Sequence, residues 1–302
     1  MKLMTVVFIL QEKRLRGKNM EELKTFDDIE KDSENEFGRK HVDLVMEWLE
    51  KNVPFFASEA QLQMSFVAGA MELDVNRRFI FIPEYAVKRD KFNDEKCDKR
   101  DEIDLVIIDT KSQRENGDNK KTFIEFKHKT FGCDNHPLFL VPLSFKGFKI
   151  GDYAPTNMGA VDLGSYDCWS DIERLEYYKS KSVCQNAYFI FITNDQRYWD
   201  SKATKRTHKF CGFSIADGDR KQSGRIWKYT DESKNPVTRT LSENKSIGAG
   251  RIEHTPLYTK DYETAIDGSK IVFEKYGEPV AYAGKINSVD FRQYMKLVLD
   301  IK

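Results

Sequence analysis

The sequence of 302 residues predicts an α/β fold in which a mixed central sheet is flanked by helices. Three observations predict it. Apolar residues repeat at helical spacing in three stretches, and four other stretches rich in β-branched and aromatic residues have the length of strands. From residue 58 onward these stretches follow one another in the order helix, strand, strand, strand, helix, strand. Such an alternation favours a sheet with helices packed against it.

The three helices are predicted over about 39–51, from Ser58 onward, and over 166–181. Pro54 ends the first. The second begins with a capping box, because Ser58 is followed three residues later by Gln61. The apolar positions that define them are Val42, Val45, Met46 and Leu49, then Leu62, Val67, Ala70, Met71 and Leu73, then Trp169, Ile172, Leu175 and Tyr178.

The four strands are predicted over 79–87, 103–108, 122–129 and 187–193. The last is a continuous apolar and aromatic run, which is typical of a strand buried on both faces. A polar stretch from 109 to 121 joins the second strand to the third, and its Asn, Gly and Asp residues are typical of a hairpin connection. We therefore expect the second and third strands to be neighbours.

The segment 131–165 is rich in glycine and proline and is predicted to be an irregular insertion. Patterns weaken after residue 198, where 210–215, 225–229, 271–276 and 291–301 are predicted as strands or short helices. We expect an N-terminal extension over 1–53, a core over 54–200 that includes the insertion, and a C-terminal elaboration over 201–302 that packs on the core.

The composition predicts a soluble cytoplasmic protein. Five cysteines without a CxxC pair are expected to be free thiols, as in a reducing compartment. The apolar run at residues 3–10 is too short for a membrane span of ~20 residues and has no small-residue cleavage site after it. It is predicted to be a strand or a buried segment, and no membrane partner is expected.

Charge is balanced over the whole chain, with 49 basic and 49 acidic residues, so any affinity for nucleic acid has to be local. The stretch 199–228 carries a surplus of basic residues that could neutralise phosphates. The alternative is a solvated surface with no ligand. The candidate phosphate-binding residues are Lys202, Lys205, Arg206 and Lys209, with Arg174 as a further candidate.

Asp104, Glu125 and Lys127 form the most informative pattern in the chain. Side chains alternate along a strand, so Glu125 and Lys127 share a face, and a neighbouring strand could bring Asp104 beside Glu125. Two carboxylates suit Mg²⁺, and a nearby ammonium could stabilise charge on a phosphate. The alternative is a solvated pair or a buried salt-bridge network.

Four other polar residues receive structural interpretations. Glu84 is expected to be a surface acid at a strand end, although a role as a metal ligand is left open. Asp171 and Arg174 are spaced to form an ion pair of one helix, either on its surface or between the helix and the core. His128, beside Lys127 but on the opposite face, is expected to be structural.

With these residues, the chain resembles the PD-(D/E)XK nucleases, the restriction-endonuclease-like superfamily, and an uncharacterised bacterial branch of it. Asp104 matches the first acid of the motif, Glu125 the second and Lys127 the lysine. Glu59 matches an additional acid that many members carry on the first core helix. Ile103 stands where the motif's name has proline. The order αβββαβ matches the elements predicted between 58 and 195.

The resemblance implies a metal-dependent endonuclease that cleaves phosphodiester bonds of DNA, with a role in restriction or defence. Asp104, Glu125 and Glu59 would bind Mg²⁺, or Mn²⁺ in its place, and Lys127 would assist catalysis. RNA is the alternative substrate, and a homodimer is left open. The rival hypothesis is a catalytically inactive module on the same fold that binds nucleic acid or another protein.

Overall fold

The computed structural model describes residues 24–30, 36–53, 56, 58–88, 100–113, 117–131, 141–145, 148–153, 161–200, 214–217, 229–230, 236–237, 271–283 and 289–301. The helices are α1 (Phe26–Glu30), α2 (Arg39–Asn52), α3 (Glu59–Leu73), α4 (Val161–Ser180) and α5 (Gln196–Trp199). The strands are β1 (Phe79–Lys88), β2 (Arg100–Gln113), β3 (Asn119–Lys129), β4 (Val141–Phe145), β5 (Phe148–Tyr153), β6 (Asn186–Thr193), β7 (Tyr229–Thr230), β8 (Pro236–Val237), β9 (Glu274–Ala283) and β10 (Val289–Asp300).

The fold is mixed α/β, with a mixed sheet flanked by helices, which confirms the predicted class. Among the described strands, six form this sheet in the order β1-β2-β3-β6-β10-β9. β4 pairs with β5, and β7 with β8, in two small antiparallel ladders. The chain divides into two compact units, the first made of Met1–Pro54 and Ala60–Thr122 and the second of Phe55–Glu59 and Phe123–Lys302.

The first unit is built on α2, most of α3, and the antiparallel pair β1 and β2. The four apolar residues predicted for α2 are all buried. Gly69 of α3 lies directly against Trp48 of α2, where an added Cβ would come within 2.6 Å of the indole ring. Glycine therefore allows these two helices to approach closely.

A buried ion pair and an aromatic cluster reinforce the first unit. The Arg78 guanidinium donates to Asp109 at 2.9 and 2.5 Å, and both side chains are almost fully buried. The rings of Phe26, Phe37 and Phe79 surround His41 at centroid distances of 4.9 to 5.4 Å. β1 is thereby held both to its partner strand and to the helices of this unit.

The second unit packs α4 against β6, the most buried strand that the structure describes. Every residue of β6 from 187 to 193 is buried, which confirms the predicted central strand. The predicted apolar stripe of α4, from Trp169 to Tyr178, is also buried. β6 pairs antiparallel with β10, and β10 with β9.

The described cysteines, Cys168 and Cys184, are buried free thiols, as expected.

Three expectations about local structure were wrong. The segment 131–165 is not irregular throughout, because β4 and β5 pair within it and α4 begins at Val161. Strands at the edge of a small ladder tolerate proline and glycine, so these residues do not exclude strands here. Met71 was assigned to the core stripe of α3 but is 54% exposed, whereas Phe66 is buried. Glu84 lies inside β1 and not at its end.

No helix within the described ranges is both long enough and apolar enough to cross a membrane. The apolar run at residues 3–10, the stretches 210–213 and 225–228, and most of the segment between β6 and β9 lie outside the described residues.

Candidate functional site

The candidate site lies in the second unit, at the centre of β3. Glu125 and Lys127 are two residues apart on this strand, so their side chains leave the same face of it. Glu125 is 1% exposed, and its neighbours Ile124 and Phe126 are fully buried. An ionised carboxylate in such a position is costly unless a cation or several donors compensate it.

Helix α4 supplies the compensating cation. The Arg174 Nε donates to Glu125 Oε1 at 2.8 Å, and its Nη2 donates to Asp171 Oδ1 at 2.6 Å. Asp171 and Arg174 are three residues apart and share a face of the helix, which confirms the predicted ion pair. The guanidinium therefore bridges a carboxylate of its own helix and a carboxylate of the strand.

The same Asp171 also contacts Lys127. Its Oδ2 lies 2.8 Å from Lys127 Nζ, and the Lys127 side chain is 13% exposed. Glu59, the first residue of α3, approaches Lys127 from the other side, with Oε1 3.5 Å from Nζ. The second Glu59 oxygen accepts a hydrogen bond from the backbone N–H of His128 at 3.0 Å.

These five side chains form a continuous chain of ion pairs, which we call the charge cluster. Its members, in order of contact, are Glu59, Lys127, Asp171, Arg174 and Glu125. Three carboxylates and two cations leave one net negative charge among them. The cluster is most exposed at Glu59, whose side chain is 39% exposed, and most buried at Glu125.

The charge cluster keeps Lys127 protonated. Burial alone would lower the pKa of Lys127, but the carboxylates of Asp171 and Glu59 outweigh it and hold that pKa well above its usual range. Lys127 is therefore a fixed positive charge at neutral pH. It is suited to stabilising an anion and unsuited to accepting a proton.

Two neighbours of the cluster, Cys168 and His128, are uncharged at neutral pH. Burial raises the pKa of the Cys168 thiol far above neutral, so this residue is not a nucleophile at neutral pH. Burial, together with the charge of Lys129, lowers the pKa of His128 to about 3. The His128 ring stacks on Tyr294 at 6.5 Å and meets Phe56 edge-on at 6.0 Å. This packing supports the structural interpretation of His128.

Asp104 lies on β2 in the first unit. Its neighbours Ile103 and Leu105 pair with Tyr85 and Pro83 of β1, so Asp104 lies across from Glu84. Gln63 of α3 donates to the Asp104 backbone oxygen and to Glu84 Oε1, the latter at 3.2 Å.

The backbone of Glu84 is in the left-handed region, with φ of 50°, which is unfavourable for a residue with a side chain. The strain therefore lies in a strand interior, across from one of the predicted metal-binding acids.

The donor chemistry of the charge cluster suits a hard divalent cation, because carboxylate oxygens are the ligands that Mg²⁺ prefers. Glu125 and Asp171 converge on one cationic group, so carboxylates from two elements meet at a common point. Within the described ranges, however, no group of three or more His, Cys, Asp or Glu side chains is arranged to hold a metal ion. The carboxylates are arranged around Lys127 and Arg174 instead.

Four residues that are predicted to be functional belong to the charge cluster: Glu59, Glu125, Lys127 and Arg174. Their function stays a prediction. Asp171 was placed on the surface or in a helix-to-core pair, and its central position was missed. It lies three residues after Cys168 and four before Leu175, both buried, and this spacing could have placed it on the inner face of α4.

The remaining predicted nucleic-acid contacts cannot be placed. Lys202, Lys205, Arg206 and Lys209 lie outside the described residues, so their role stays a prediction.

Comparisons of the chain with protein-family models, with curated proteins and with solved structures found no match.

Proposed function

We propose that this protein is a metal-dependent nuclease that hydrolyses phosphodiester bonds, with DNA as the expected substrate and RNA as the alternative. The observation that supports it most is the burial of Glu125 on an interior strand, in one charge cluster with Lys127 and Glu59. Mutually paired, buried ionisable groups concentrate at functional sites. The cluster also combines carboxylates, which are ligands that Mg²⁺ prefers, with the permanently charged ammonium of Lys127.

Three residues of the cluster have a direct role in this proposal. Glu125 and Glu59 would hold Mg²⁺, or Mn²⁺, and the part of Asp104 in the same metal site stays a prediction from the sequence motif. The bound metal would supply Lewis-acid stabilisation of phosphate oxygens and a more acidic water. Lys127, which stays protonated, would orient the attacking water and stabilise negative charge on the phosphate.

The proposal includes a restriction-endonuclease-like αβββαβ core and a role in restriction or defence. The chain order supports this core, because α3 is followed by β1, β2 and β3, and then by α4 and β6. The β4–β5 ladder would be an insertion in that order. The positions of Glu59 at the start of α3 and of Glu125 and Lys127 on β3 also support it.

A second candidate is a catalytically inactive module that binds nucleic acid or protein on the same scaffold. The observation in its favour is that each of the five side chains in the charge cluster has an oppositely charged partner within 3.5 Å. Fully paired buried charges can serve a structural purpose alone. Under this hypothesis the protein would bind nucleic acid in a salt-sensitive manner without cutting it.

Substitution of Lys127 separates the two candidates. Lys127→Met removes the cation and keeps the aliphatic stem, so we expect cleavage of a labelled oligonucleotide in Mg²⁺ or Mn²⁺ to fall about 10²-fold or more. Lys296→Met is the matched control, because Lys296 is also a strand lysine paired with a carboxylate, Glu274 at 3.6 Å. It should leave the rate unchanged.

Thermal unfolding of each variant and oligonucleotide binding in EDTA complete the experiment. Retained folding and binding with lost cleavage in Lys127→Met would support the nuclease. Binding without metal-dependent cleavage in the wild-type protein would favour the inactive module. Equal cleavage by both variants would exclude Lys127 from catalysis.

A further inference from the structure

We propose that the carboxyl ends of β3 and β6 form a binding site for a phosphate group, with the start of α4, Lys129 and Asn194 as its donors. The site lies beside the charge cluster, because Lys129 follows Lys127 by two residues and leaves the same face of β3. It takes an anion and no metal ion, so it does not depend on the proposed nuclease activity.

The ends of the two strands carry the first step. β3 and β6 are neighbours in the sheet. Asn194 follows β6, and its Oδ1 accepts a hydrogen bond at 2.7 Å from the backbone N–H of Phe131, which lies just beyond β3. The two strands therefore run parallel and end at the same edge. In open α/β sheets, ligands bind beyond the carboxyl ends of such strands.

Helix α4 brings its N-terminus to this edge. Gly164 lies in its first turn, and a Cβ added there would lie 3.3 Å from Lys129 Cε. The ammonium, bonded to that Cε, is therefore close to the helix start. The first backbone N–H groups of a helix have no partner within it and carry a partial positive charge. This end of α4 and the lysine repel each other unless an anion lies with them.

Asn194 gives independent evidence for a ligand. Its side chain is 5% exposed, and its Nδ2 is buried without an acceptor among the described residues. Because the Phe131 N–H requires an acceptor, the amide cannot exchange its oxygen for its nitrogen. Nδ2 therefore stays a donor at the strand ends. A buried donor that lacks an acceptor is costly, and an oxygen of a bound phosphate would supply one.

The surrounding charges favour an anion. Asp195, buried at the same edge, is already neutralised by Arg197, whose Nη2 lies 2.6 Å from Asp195 Oδ2. Burial lowers the pKa of His128, and the positive charge of Lys129 adds to that lowering. A phosphate group offers negative charge and several acceptor oxygens, and helix starts with a nearby lysine are suited to it. A water molecule could accept from Asn194 but would bring no charge.

The first test measures binding of inorganic phosphate to the full chain by isothermal titration calorimetry, in EDTA and with chloride to fix the ionic strength. Lys129→Met and Asn194→Asp should each bind at least about ten-fold more weakly than wild type. Aspartate keeps an acceptor for the Phe131 N–H and removes the Nδ2 donor. Lys296→Met is the matched control, since Lys296 is a strand lysine paired with Glu274, and it should bind as wild type does.

A second measurement uses the wild-type protein and does not depend on the folding of a variant. Phosphate should slow hydrogen exchange of the backbone amides in the first turn of α4 several-fold relative to chloride. The first turn of α3 is the matched control, because the Glu59 carboxylate already lies at its start. Its exchange should not change.

Thymidine 5′-monophosphate and thymidine distinguish the sources of the phosphate in the same exchange experiment. Slowing by the nucleotide and not by the nucleoside would support the site and extend it to phosphates of nucleic acids. Slowing by inorganic phosphate alone would support a site for the free anion. Slowing by neither phosphate compound, equal slowing by thymidine, or phosphate binding by Lys129→Met and Asn194→Asp at the wild-type level would overturn the inference.

Discussion

At the scale of single residues, Asp171 connects the two cations of the charge cluster. Its carboxylate contacts Lys127 at 2.8 Å and Arg174 at 2.6 Å, and its side chain is only 10% exposed. Each cation has a second acid, Glu59 for Lys127 and Glu125 for Arg174. Asp171 therefore positions both cations relative to the two glutamates.

Replacement of Asp171 by asparagine should destabilise the protein because it removes the shared anion and leaves two largely buried cations in contact with a neutral group. We expect the free energy of unfolding in urea to fall by about 3 kcal/mol. Asp43→Asn is the control, since Asp43 pairs with Arg39 on an exposed helix face, and its loss should cost under about 0.5 kcal/mol. Equal losses in the two variants would contradict a central role for Asp171.

His41 is a buried titratable residue of the first unit. Its Nδ1 accepts a hydrogen bond from the backbone N–H of Gly38 at 3.2 Å at the start of α2. Burial and the nearby charge of Arg78 lower its pKa from 6.5 to about 4, against the smaller opposing effect of Asp109. The folded protein therefore contains neutral His41 at neutral pH.

This pKa predicts a loss of stability in mild acid. The unfolded chain takes up the proton near pH 6.5, whereas the folded form resists it down to about 4. The stabilisation is present in full above pH 6.5 and is lost as the pH falls toward 4, by about 3 kcal/mol at most. His41→Gln, which retains a side-chain acceptor, should show a smaller loss in urea unfolding over this range. An identical pH dependence in both proteins would contradict the assignment.

At the scale of elements, the start of α4 depends on a close approach. Gly164 lies in the first turn, where an added Cβ would clash with the hydroxyl of Tyr198 and lie 3.0 Å from its Cζ. Tyr198 is itself buried and packs edge-on against Phe191 of β6 at 5.1 Å. A glycine within a helix is unfavourable by itself, so the contact accounts for it here.

Gly164→Ala should therefore destabilise the second unit, by about 1–3 kcal/mol, although alanine is the better helix former. Tyr198→Phe removes the hydroxyl that the new Cβ would meet, so the cost of alanine should be smaller in that background. Urea unfolding of the two single variants and the double variant measures this coupling. The same cost in both backgrounds would show that the contact with Tyr198 does not require glycine.

The sequence predicted the long elements well, because residues that face the core recur at helical or strand spacing. α2, β1, β3 and β6 lie within a few residues of their predicted bounds. It failed at the β4–β5 ladder, since glycine and proline are common both in irregular loops and in short edge strands. Periodicity does not separate these two cases.

The residues of the candidate site were singled out by their charge and not by periodicity. Glu125 and Lys127 stand out because charged residues in an apolar strand need partners. Asp171 did not stand out, since an acid on a helix is usually solvated, although its spacing from Cys168 and Leu175 places it on the inner face of α4. Its contact with Lys127 depends on the packing of α4 beside β3, which is tertiary information that the local pattern does not contain.

At the scale of the whole molecule, positive and negative charges are equal in number, so no overall field draws the protein to nucleic acid. Any binding of nucleic acid would have to depend on local charge. The charge cluster is confined to the second unit, and the one net negative charge that its ion pairs leave opposes the approach of a phosphate. A metal that binds the carboxylates of the cluster would remove that opposition.

The most direct test of the nuclease proposal is cleavage of supercoiled plasmid by the wild-type protein and by Glu125→Gln, with Mg²⁺ and again with EDTA. The proposal predicts nicked or linear DNA only for the wild-type protein and only with Mg²⁺, with both proteins folded. Cleavage by Glu125→Gln at the wild-type rate, or an intact plasmid with the wild-type protein in Mg²⁺ and Mn²⁺, would contradict it.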